Sequence, residues 1–170
     1  MKRIEGKDNP KNSNRSDAGF SLIELLVVVA VILIIAAIAI PNYMRSKMRA
    51  NEASAVQNLR NIATAEIVYS TTYGIDFSNG LTPLGGNGIN PDQNNAGLID
   101  ESVASGLKSG YVFVFTALML DPQGNPSTYS VTADPQIPGT TGTRHFYVDQ
   151  SCVIRSNVSA QAGPTDPPLN

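Results

Sequence analysis

Gly19-Phe20-Ser21-Leu22-Ile23-Glu24-Leu25-Leu26 opens an apolar run that continues to Ile40 and ends at Pro41, and this run decides how the 170-residue chain folds. Glu24 is the only ionisable side chain between residues 20 and 40. As a helix that rises ~1.5 Å per residue, the run is about 30 Å long, which is enough to cross the hydrocarbon core of a bilayer. A carboxylate inside such a span is costly to bury in lipid, so Glu24 is a candidate functional residue with a partner elsewhere.

The segment before the run, residues 1–19, is hydrophilic and carries five Lys or Arg side chains against three acids, a net charge of +2. A basic flank favours the cytoplasmic side of a membrane span. A secretory signal has its cleavage site after the apolar region, but no Ala-x-Ala sequence follows Ile40. These features predict that residues 1–19 are a leader peptide that is cut between Gly19 and Phe20, which leaves a free amine on Phe20.

The stretch from Gly19 to Tyr43 strongly resembles the class III signal of type IV pilins and of the pseudopilins of type II secretion systems. The resemblance implies that a prepilin peptidase cuts between Gly19 and Phe20 and methylates the new N-terminus on Phe20. It also implies that Glu24 registers each incoming subunit against its neighbour. Pro41 falls where the family has its terminating proline.

A physical argument leads to the same role for Glu24. A free α-amine has a pKa of about 7.7–8.0 and is largely cationic near neutral pH. The amine does not reach Glu24 comfortably within its own helix, whereas an axially shifted neighbouring copy brings the two charges together. Because lipid tails are as apolar as leucine side chains, packing and charge pairing select the register of such helices. The alternative is a plain membrane anchor that tolerates a glutamate near one end.

The remaining sequence predicts an α+β, pilin-like fold, in which a long N-terminal helix packs on a small antiparallel β-sheet. Residues 20–40 form the transmembrane or filament-core half of this helix, and residues 41–73 form its amphipathic continuation, with an apolar stripe at Val56, Leu59, Ala63, Ile67 and Ser70. Residues 74–110 are turn-rich and predict a helix-to-sheet loop, with a short helical piece around 100–107. The antiparallel sheet is expected over 111–159, with strands at 111–116, 128–133, 144–149 and 152–155, and residues 160–170 are expected to be a flexible tail.

The composition argues against catalysis and against nucleic-acid binding. From Phe20 onward the chain has seven Lys or Arg side chains against eleven acids, a net charge of −4, which argues against broad phosphate binding. Its one cationic cluster, Arg45, Lys47 and Arg49, lies just beyond the span and is interpreted as a solvated helix face beside anionic headgroups. His145 and Cys152 are each the only residue of their type, which argues against a zinc site, an internal disulfide and a nucleophilic catalytic set. The glycine-rich sequence at 85–88 is not followed by Lys-Ser or Lys-Thr, so it is not a phosphate-binding loop. The chain is therefore not expected to hydrolyse ATP, and a separate motor must supply any ATP-driven work.

Calcium is the one cofactor for which the acids offer candidate ligands. Asp121, Asp134 and Asp149, with the loop acids Asp92 and Asp100, supply carboxylate oxygens of the kind that calcium prefers. The resemblance adds weight, because major secretion pseudopilins bind calcium in their sheet loops. The alternative is that these are ordinary turn-forming aspartates and that the chain holds no cofactor.

We interpret the chain as a filament subunit and not as an enzyme. The resemblance implies a single-pass precursor in the inner membrane, with its N-terminus in the cytoplasm, that polymerises with copies of itself. It implies as further partners an inner-membrane assembly platform, a separate ATPase motor and an outer-membrane secretin. Many pilins close a C-terminal loop with a disulfide, so the single cysteine favours a periplasmic pseudopilin of type II secretion over an extracellular pilin for adhesion, twitching motility or DNA uptake. A monomeric membrane-tethered binding domain, with residues 74–110 holding a ligand, is the alternative from a different class.

Overall fold

The computed structural model describes residues 19–86 and 88–169, so the predicted leader lies outside the described residues except for Gly19. Three helices and five strands follow one another along the chain: α1 (Leu22–Tyr73), α2 (Leu81–Leu84), α3 (Glu101–Ala104), β1 (Leu107–Lys108), β2 (Tyr111–Leu120), β3 (Pro126–Pro135), β4 (His145–Asp149) and β5 (Arg155–Asn157). The strands form one antiparallel sheet in the order β1-β2-β3-β4-β5. The predicted α+β, pilin-like fold is confirmed.

The long helix α1 has a defined end and an unbroken interior. Gly74 adopts a φ of 67°, in the left-handed region that glycine tolerates, and its N–H donates to the carbonyl oxygen of Ser70 at 3.0 Å. A left-handed glycine after the last turn is a common way to end a helix. Pro41 lies inside α1 and does not end it. The chain divides into two compact units at this point, Met1–Ile40 and Pro41–Asn170.

The sheet is a simple meander, so each strand pairs with the next along the chain. In β2 and β3, Phe113 lies opposite Ala133, and in β3 and β4, Val131 lies opposite Val148. The predicted strands at 111–116, 128–133 and 144–149 correspond to β2, β3 and β4, although β2 and β3 each extend to ten residues. Runs of β-branched and aromatic residues that are separated by turn residues made these three strands readable.

The fourth predicted strand, at residues 152–155, is wrong. Cys152 has a φ of 59°, and its N–H donates to the carbonyl oxygen of Asp149 at 2.9 Å, so the chain is still turning at this residue. The strand β5 begins at Arg155. Ile154, which suggested a strand by its β-branched side chain, instead packs into the core from the end of the turn.

The core of the second unit lies between α1 and one face of the sheet. Leu59 and Ile62 of the helix are fully buried, as are Val131 and Phe146 of the sheet. The predicted stripe on α1 is correct for Val56, Leu59 and Ala63 but wrong for Ile67, which is 52% exposed. The buried face of α1 also includes three polar side chains, which a purely apolar pattern leaves out: Glu52, Asn58 and Glu66. Ile67 lies outside this face.

Two segments that were expected to be irregular are held by specific contacts. The predicted loop 74–110 contains α2, α3 and β1. In the predicted flexible tail, Ala162 is buried, and the N–H of Leu169 donates to the carbonyl oxygen of Ile154 at 2.8 Å. Pro168 also forms a β-bridge with Arg155. In the structure this C-terminal segment therefore packs beside β5, because its backbone groups bond to the sheet edge.

Candidate functional site

The apolar half of α1 is uncovered within the chain. Between residues 22 and 40, Ala36 is the one residue that is partly buried. The large apolar side chains are exposed to solvent; Leu22, for example, is 75% exposed and Ile35 is 60% exposed. Among the described residues, α1 is the one helix that is long and apolar enough to cross a membrane. A continuous apolar surface of this length marks a contact with lipid or with other protein chains.

Glu24 lies at the start of this uncovered helix, where its carboxylate completes a cap. The backbone N–H of Ser21 donates to Oε2 of Glu24 at 2.9 Å, and Ser21 immediately precedes α1. A carboxylate three residues after the cap residue can satisfy a free N–H of the first turn and favourably meets the positive end of the helix dipole. The pattern Ser21-x-x-Glu24 is therefore a capping-box signature, a signal that the sequence analysis did not use.

The residues around the predicted processing point lie together with Glu24 on one side of the helix. Phe20 is 82% exposed, and a shallow groove of about 380 Å³ runs along the residues Phe20, Ile23, Glu24, Val27 and Val28. Pro41, the third residue predicted to matter for assembly beside Phe20 and Glu24, is exposed inside α1. The structure thus places Phe20 and Glu24 side by side on an open surface.

A second acid of α1, Glu52, holds the turn between β3 and β4. Its Oε1 accepts hydrogen bonds from the N–H and the hydroxyl of Thr143, both at 2.9 Å, and from the N–H of Arg144 at 3.2 Å. Its Oε2 accepts from Nε of Arg144 at 2.9 Å. Burial alone would raise the pKa of Glu52, but the hydrogen bonds from Thr143 and Arg144 together outweigh it and hold the pKa below its usual value.

A third acid, Glu66, is fully buried and has no cationic partner among the described residues. Its Oε2 accepts from the N–H of Ser78 at 2.9 Å, and its Oε1 lies 2.6 Å from the hydroxyl of Ser78. That hydroxyl also lies 2.8 Å from the carbonyl oxygen of Gly80, although it has a single hydrogen to donate. Both short contacts are satisfied at once if Glu66 is protonated, because the carboxyl then donates to Ser78. Burial accordingly raises the pKa of Glu66, and the hydrogen bonds from Ser78 offset part of the rise.

The predicted apolar stripe on α1 includes neither Glu52 nor Glu66, so sequence reasoning assigned these two acids no role. A signal was present, however, because Glu52, Leu59 and Glu66 are spaced by seven residues and therefore share one helix face. Once Leu59 is assigned to the core, both acids are expected to be buried with it. The partners of Glu52 lie 91 and 92 residues away, and no sequence pattern identifies them.

The acids that were considered for calcium do not converge on one point. Asp121 accepts from the N–H groups of residues 123 and 125 in the hairpin turn after β2. Asp134 contacts His145, whose Nδ1 lies 2.6 Å from its Oδ1, and Asp149 accepts from the N–H of Ser151. At ~3.3 Å per residue, the eight steps along β3 from residue 126 to residue 134 alone separate the first two sites by about 26 Å. The described residues contain no group of three or more His, Cys, Asp and Glu side chains that could hold a metal ion.

The two other candidate loop acids are also engaged locally. Asp92 accepts from the N–H of Asn94 at 2.8 Å, and Asp100 caps α3 and lies 3.4 Å from Nζ of Lys108. Cys152 is exposed because it lies on the turn between β4 and β5, although a lone cysteine is more often partly buried. These contacts give each acid a structural role in its own turn.

Comparison with known proteins identifies the same N-terminal feature. The family described as the prokaryotic N-terminal methylation motif matches residues 14–40. The type IV major pilin protein PilA of Myxococcus xanthus is 41% identical over 83 residues, which is 46% of this chain and 36% of the relative. The type IV wide pilus major component PilA4 of Thermus thermophilus is 40% identical over 55 residues, which is 32% of this chain and 42% of the relative.

The match to these first two relatives thus covers less than half of their own length. A fimbrial protein of Pseudomonas aeruginosa is matched more completely, with 36% identity over 113 residues, which is 56% of this chain and 73% of the relative. No solved structure matches the chain significantly. With its methylation motif, its long apolar helix and its antiparallel sheet, the chain belongs to the type IV pilin family.

Proposed function

We propose that this chain is the structural subunit of a type IV pilus-like filament, which polymerises through its N-terminal helix after prepilin peptidase has removed residues 1–19. The observation that carries the proposal is the uncovered apolar half of α1, with one acid near its start and the methylation motif across the predicted cut. This surface has no cover within the described chain, so it needs lipid before assembly and other copies after it. We propose a structural role and no catalytic one.

The register between neighbouring copies of α1 follows from the charges at the start of this helix. Cutting between Gly19 and Phe20 creates an amine on Phe20, four residues before Glu24. Within an apolar bundle, an unpaired carboxylate and an unpaired ammonium are both costly, and pairing them between copies removes much of that cost. Because the donor and the acceptor then belong to different copies in a head-to-tail order, the contact repeats without closing and builds an open filament.

The names of the relatives favour an extracellular pilus. The relative from M. xanthus is named a major pilin and that from T. thermophilus a wide pilus major component. A pseudopilin of type II secretion, which would stay in the periplasm, is the second candidate, because a chain with one cysteine lacks the internal disulfide of many pilins. Either role needs an inner-membrane assembly platform, a separate ATPase motor and an outer-membrane secretin as partners.

Mass spectrometry of the N-terminus tests the processing step. We expect the mature chain to begin with N-methylated Phe20, and replacement of Gly19→Leu to leave the full precursor, since a bulky side chain next to the cut blocks a peptidase that accepts glycine there. The matched control is Ser21→Ala, on the other side of Phe20, which should be cut normally. A mature-sized band from Gly19→Leu would contradict this cleavage site.

Filament yield tests the role of Glu24. Glu24→Leu should insert into the membrane and be cut, because neither step needs the carboxylate, but the sheared extracellular fraction should lose its filaments. The control is Ile23→Leu, which changes the neighbouring residue and keeps the charge. Normal filament yield from Glu24→Leu would refute the pairing argument. Filaments that appear only in the periplasmic fraction of wild-type cells would select the pseudopilin over the pilin.

A further inference from the structure

The exposed charges of the second unit are segregated by sign. On α1 beyond Pro41, both acids are buried, whereas every cation is exposed: Arg45, Lys47, Arg49 and Arg60. Three of these cations lie within five residues, and we call Arg45, Lys47 and Arg49 the cationic collar. None of the three has an acid within ion-pair distance among the described residues.

The unpaired exposed acids lie on a different segment. Asp76, Asp92 and Glu101 are exposed, and within residues 19–86 and 88–169 none of them has a cation within 4.0 Å. Asp92 and Glu101 accept from backbone N–H groups, those of Asn94 and Gly86, so their charge is not neutralised. We call these three residues the acidic loop. It belongs to the segment 74–110 that follows the end of α1.

The collar and the acidic loop of one copy are far apart along the helix axis. Residue 47 lies 26 residues before the end of α1 at Tyr73, which corresponds to about 39 Å at ~1.5 Å per residue. A parallel copy that is displaced by about that distance brings its own Asp76, three residues after the end of α1, level with the collar of the first copy. Within the collar, Arg45 and Arg49 are four residues apart and share one face of α1, whereas Lys47 lies on the opposite face. The acids of one neighbour therefore meet Arg45 and Arg49.

We propose that the acidic loop of one copy docks on the cationic collar of another copy about 40 Å further along the filament. This inference rests on the proposed function, because it requires parallel, axially displaced copies. Complementary charge at the rim of an interface selects register and partner more than it adds affinity. The contact joins two different surfaces, so each copy uses both and the contact propagates along an open polymer.

Anionic lipid headgroups are the competing occupant of the collar, since it follows the apolar run directly. Binding to headgroups would account for the exposed cations of the collar, but it would give the three unpaired acids of the acidic loop no binding partner. A second copy explains both sets with one contact. The two occupants also predict different results when the signs of the charges are exchanged.

Cross-linking tests the contact directly. In a Cys152→Ser background, which removes the only native thiol, Arg49→Cys combined with Asp76→Cys should give a ladder of covalent multimers when purified filaments are treated with a short bismaleimide. Each single-cysteine variant should give no ladder. The matched control is Arg60→Cys with Asp76→Cys, because residue 60 lies on the same face of α1 about 17 Å further along and should be out of reach. Filaments that form normally but give no ladder, or an equal ladder from the control, would overturn the proposal.

Charge exchange separates the two occupants of the collar. Reversal of the collar (Arg45→Glu, Lys47→Glu, Arg49→Glu) or of the acidic loop (Asp76→Lys, Asp92→Lys, Glu101→Lys) should reduce sheared filament at least tenfold. The two reversals combined should restore filament to within about threefold of wild type. If the collar binds headgroups, the collar variant stays defective in the combined chain and its precursor is lost from the membrane fraction, and that result overturns the proposal. If no variant, including wild type, gives filaments, the proposed function itself fails.

Discussion

Glu66→Gln is expected to stabilise the protein at neutral pH, although it alters a buried hydrogen-bonded residue. Glutamine has the shape of the protonated glutamic acid: its carbonyl oxygen accepts from the N–H of Ser78, and its amide donates to the hydroxyl of Ser78, which is then free to donate to Gly80. All the contacts seen in the structure are kept. The variant removes the cost that wild type bears for holding a proton, or a charge, on a buried carboxyl, and it adds one further amide N–H that needs an acceptor.

The size of the effect follows from the number of protons involved. Burial raises the folded-state pKa of Glu66 above its ordinary value of 4.5, so between the two pKa values the folded protein holds one proton that the unfolded chain has released. The stabilisation that comes from this bound proton is complete below about pH 4.5 and is lost as the pH rises towards the folded-state pKa of Glu66. Over that window the free energy of unfolding falls by at most ~1.4 kcal/mol per pH unit for one proton. The glutamine variant lacks this term, so the difference between the two proteins grows with pH.

Thermal unfolding of the full chain in detergent micelles measures this difference. Near-ultraviolet circular dichroism reports on the core tyrosines, among them Tyr69, Tyr111 and Tyr129, which are buried in the second unit. For a unit of this size, 1 kcal/mol corresponds to a shift of roughly 3–6 °C in the midpoint. We therefore expect the midpoint of the variant to rise relative to that of wild type as the pH increases from 4.5 towards the folded-state pKa of Glu66, with the variant the more stable protein at pH 7.

Glu52→Gln is the matched control, because it makes the same chemical change fourteen residues away on the same buried helix face. A glutamine variant at residue 66 that unfolds below wild type at pH 7, or that follows the wild-type pH dependence, would refute the interpretation. In that case Glu66 would be ionised in the folded state, and its negative charge would have to be balanced by a group other than Ser78.

The remaining predictions concern the other two acids that hold segments of the second unit. Glu52→Gln should lower the free energy of unfolding by about 2 kcal/mol at pH 7, since it loses a charge-assisted bond to Arg144 that typically contributes ~1.5–3 kcal/mol and that partial exposure of Arg144 weakens. The pKa of Glu52 is lowered, so this contribution is complete above about pH 4.5 and lost as the pH falls below it; a difference from wild type that is unchanged between pH 7 and pH 3 would contradict the assignment. Asp166→Ala should destabilise by about 1–2 kcal/mol, because it removes the acceptors of Asn157 Nδ2 and of the Gly163 N–H. Limited proteolysis should then cut the C-terminal segment faster than in wild type, and an unchanged cleavage rate would show that this segment is held by its backbone bonds alone.

Local sequence patterns predicted the helix and strand elements whose formation depends on residues only a few positions apart. The apolar run, the absence of Gly or Pro between residues 42 and 73, and Gly74 specify α1, since helix formation and termination depend on neighbours a few residues away. The run of aromatic and β-branched residues Tyr111-Val112-Phe113-Val114-Phe115 specifies β2 in the same manner. Glu24 was singled out because an acid in an apolar span is unusual by itself.

Contacts between distant parts of the chain could not be read from the sequence. The turn at Cys152 depends on a bond back to Asp149 and on a φ that non-glycine residues rarely adopt, so an apolar triplet was mistaken for a strand. The C-terminal segment is held through the backbone of Leu169 and Ile154, and backbone bonds leave no side-chain signal. The burial of Glu52 depends on Thr143 and Arg144, which the folded sheet alone brings to the helix.

The three acids of α1 show why folding and assembly can be separated in this chain. Glu52 and Glu66 find their partners within the second unit, one as an ionised group beside Arg144 and the other against the neutral donors of Ser78, so their loss acts on folding. Glu24 bonds only to the N–H of Ser21 among the described contacts, on a helix surface that nothing in the described chain covers. Its replacement therefore leaves the core of the second unit intact, and any defect has to arise in a contact with lipid or with another copy. A Glu24 variant that lowered the unfolding midpoint of the second unit would break this separation, since no packing contact in that unit depends on Glu24.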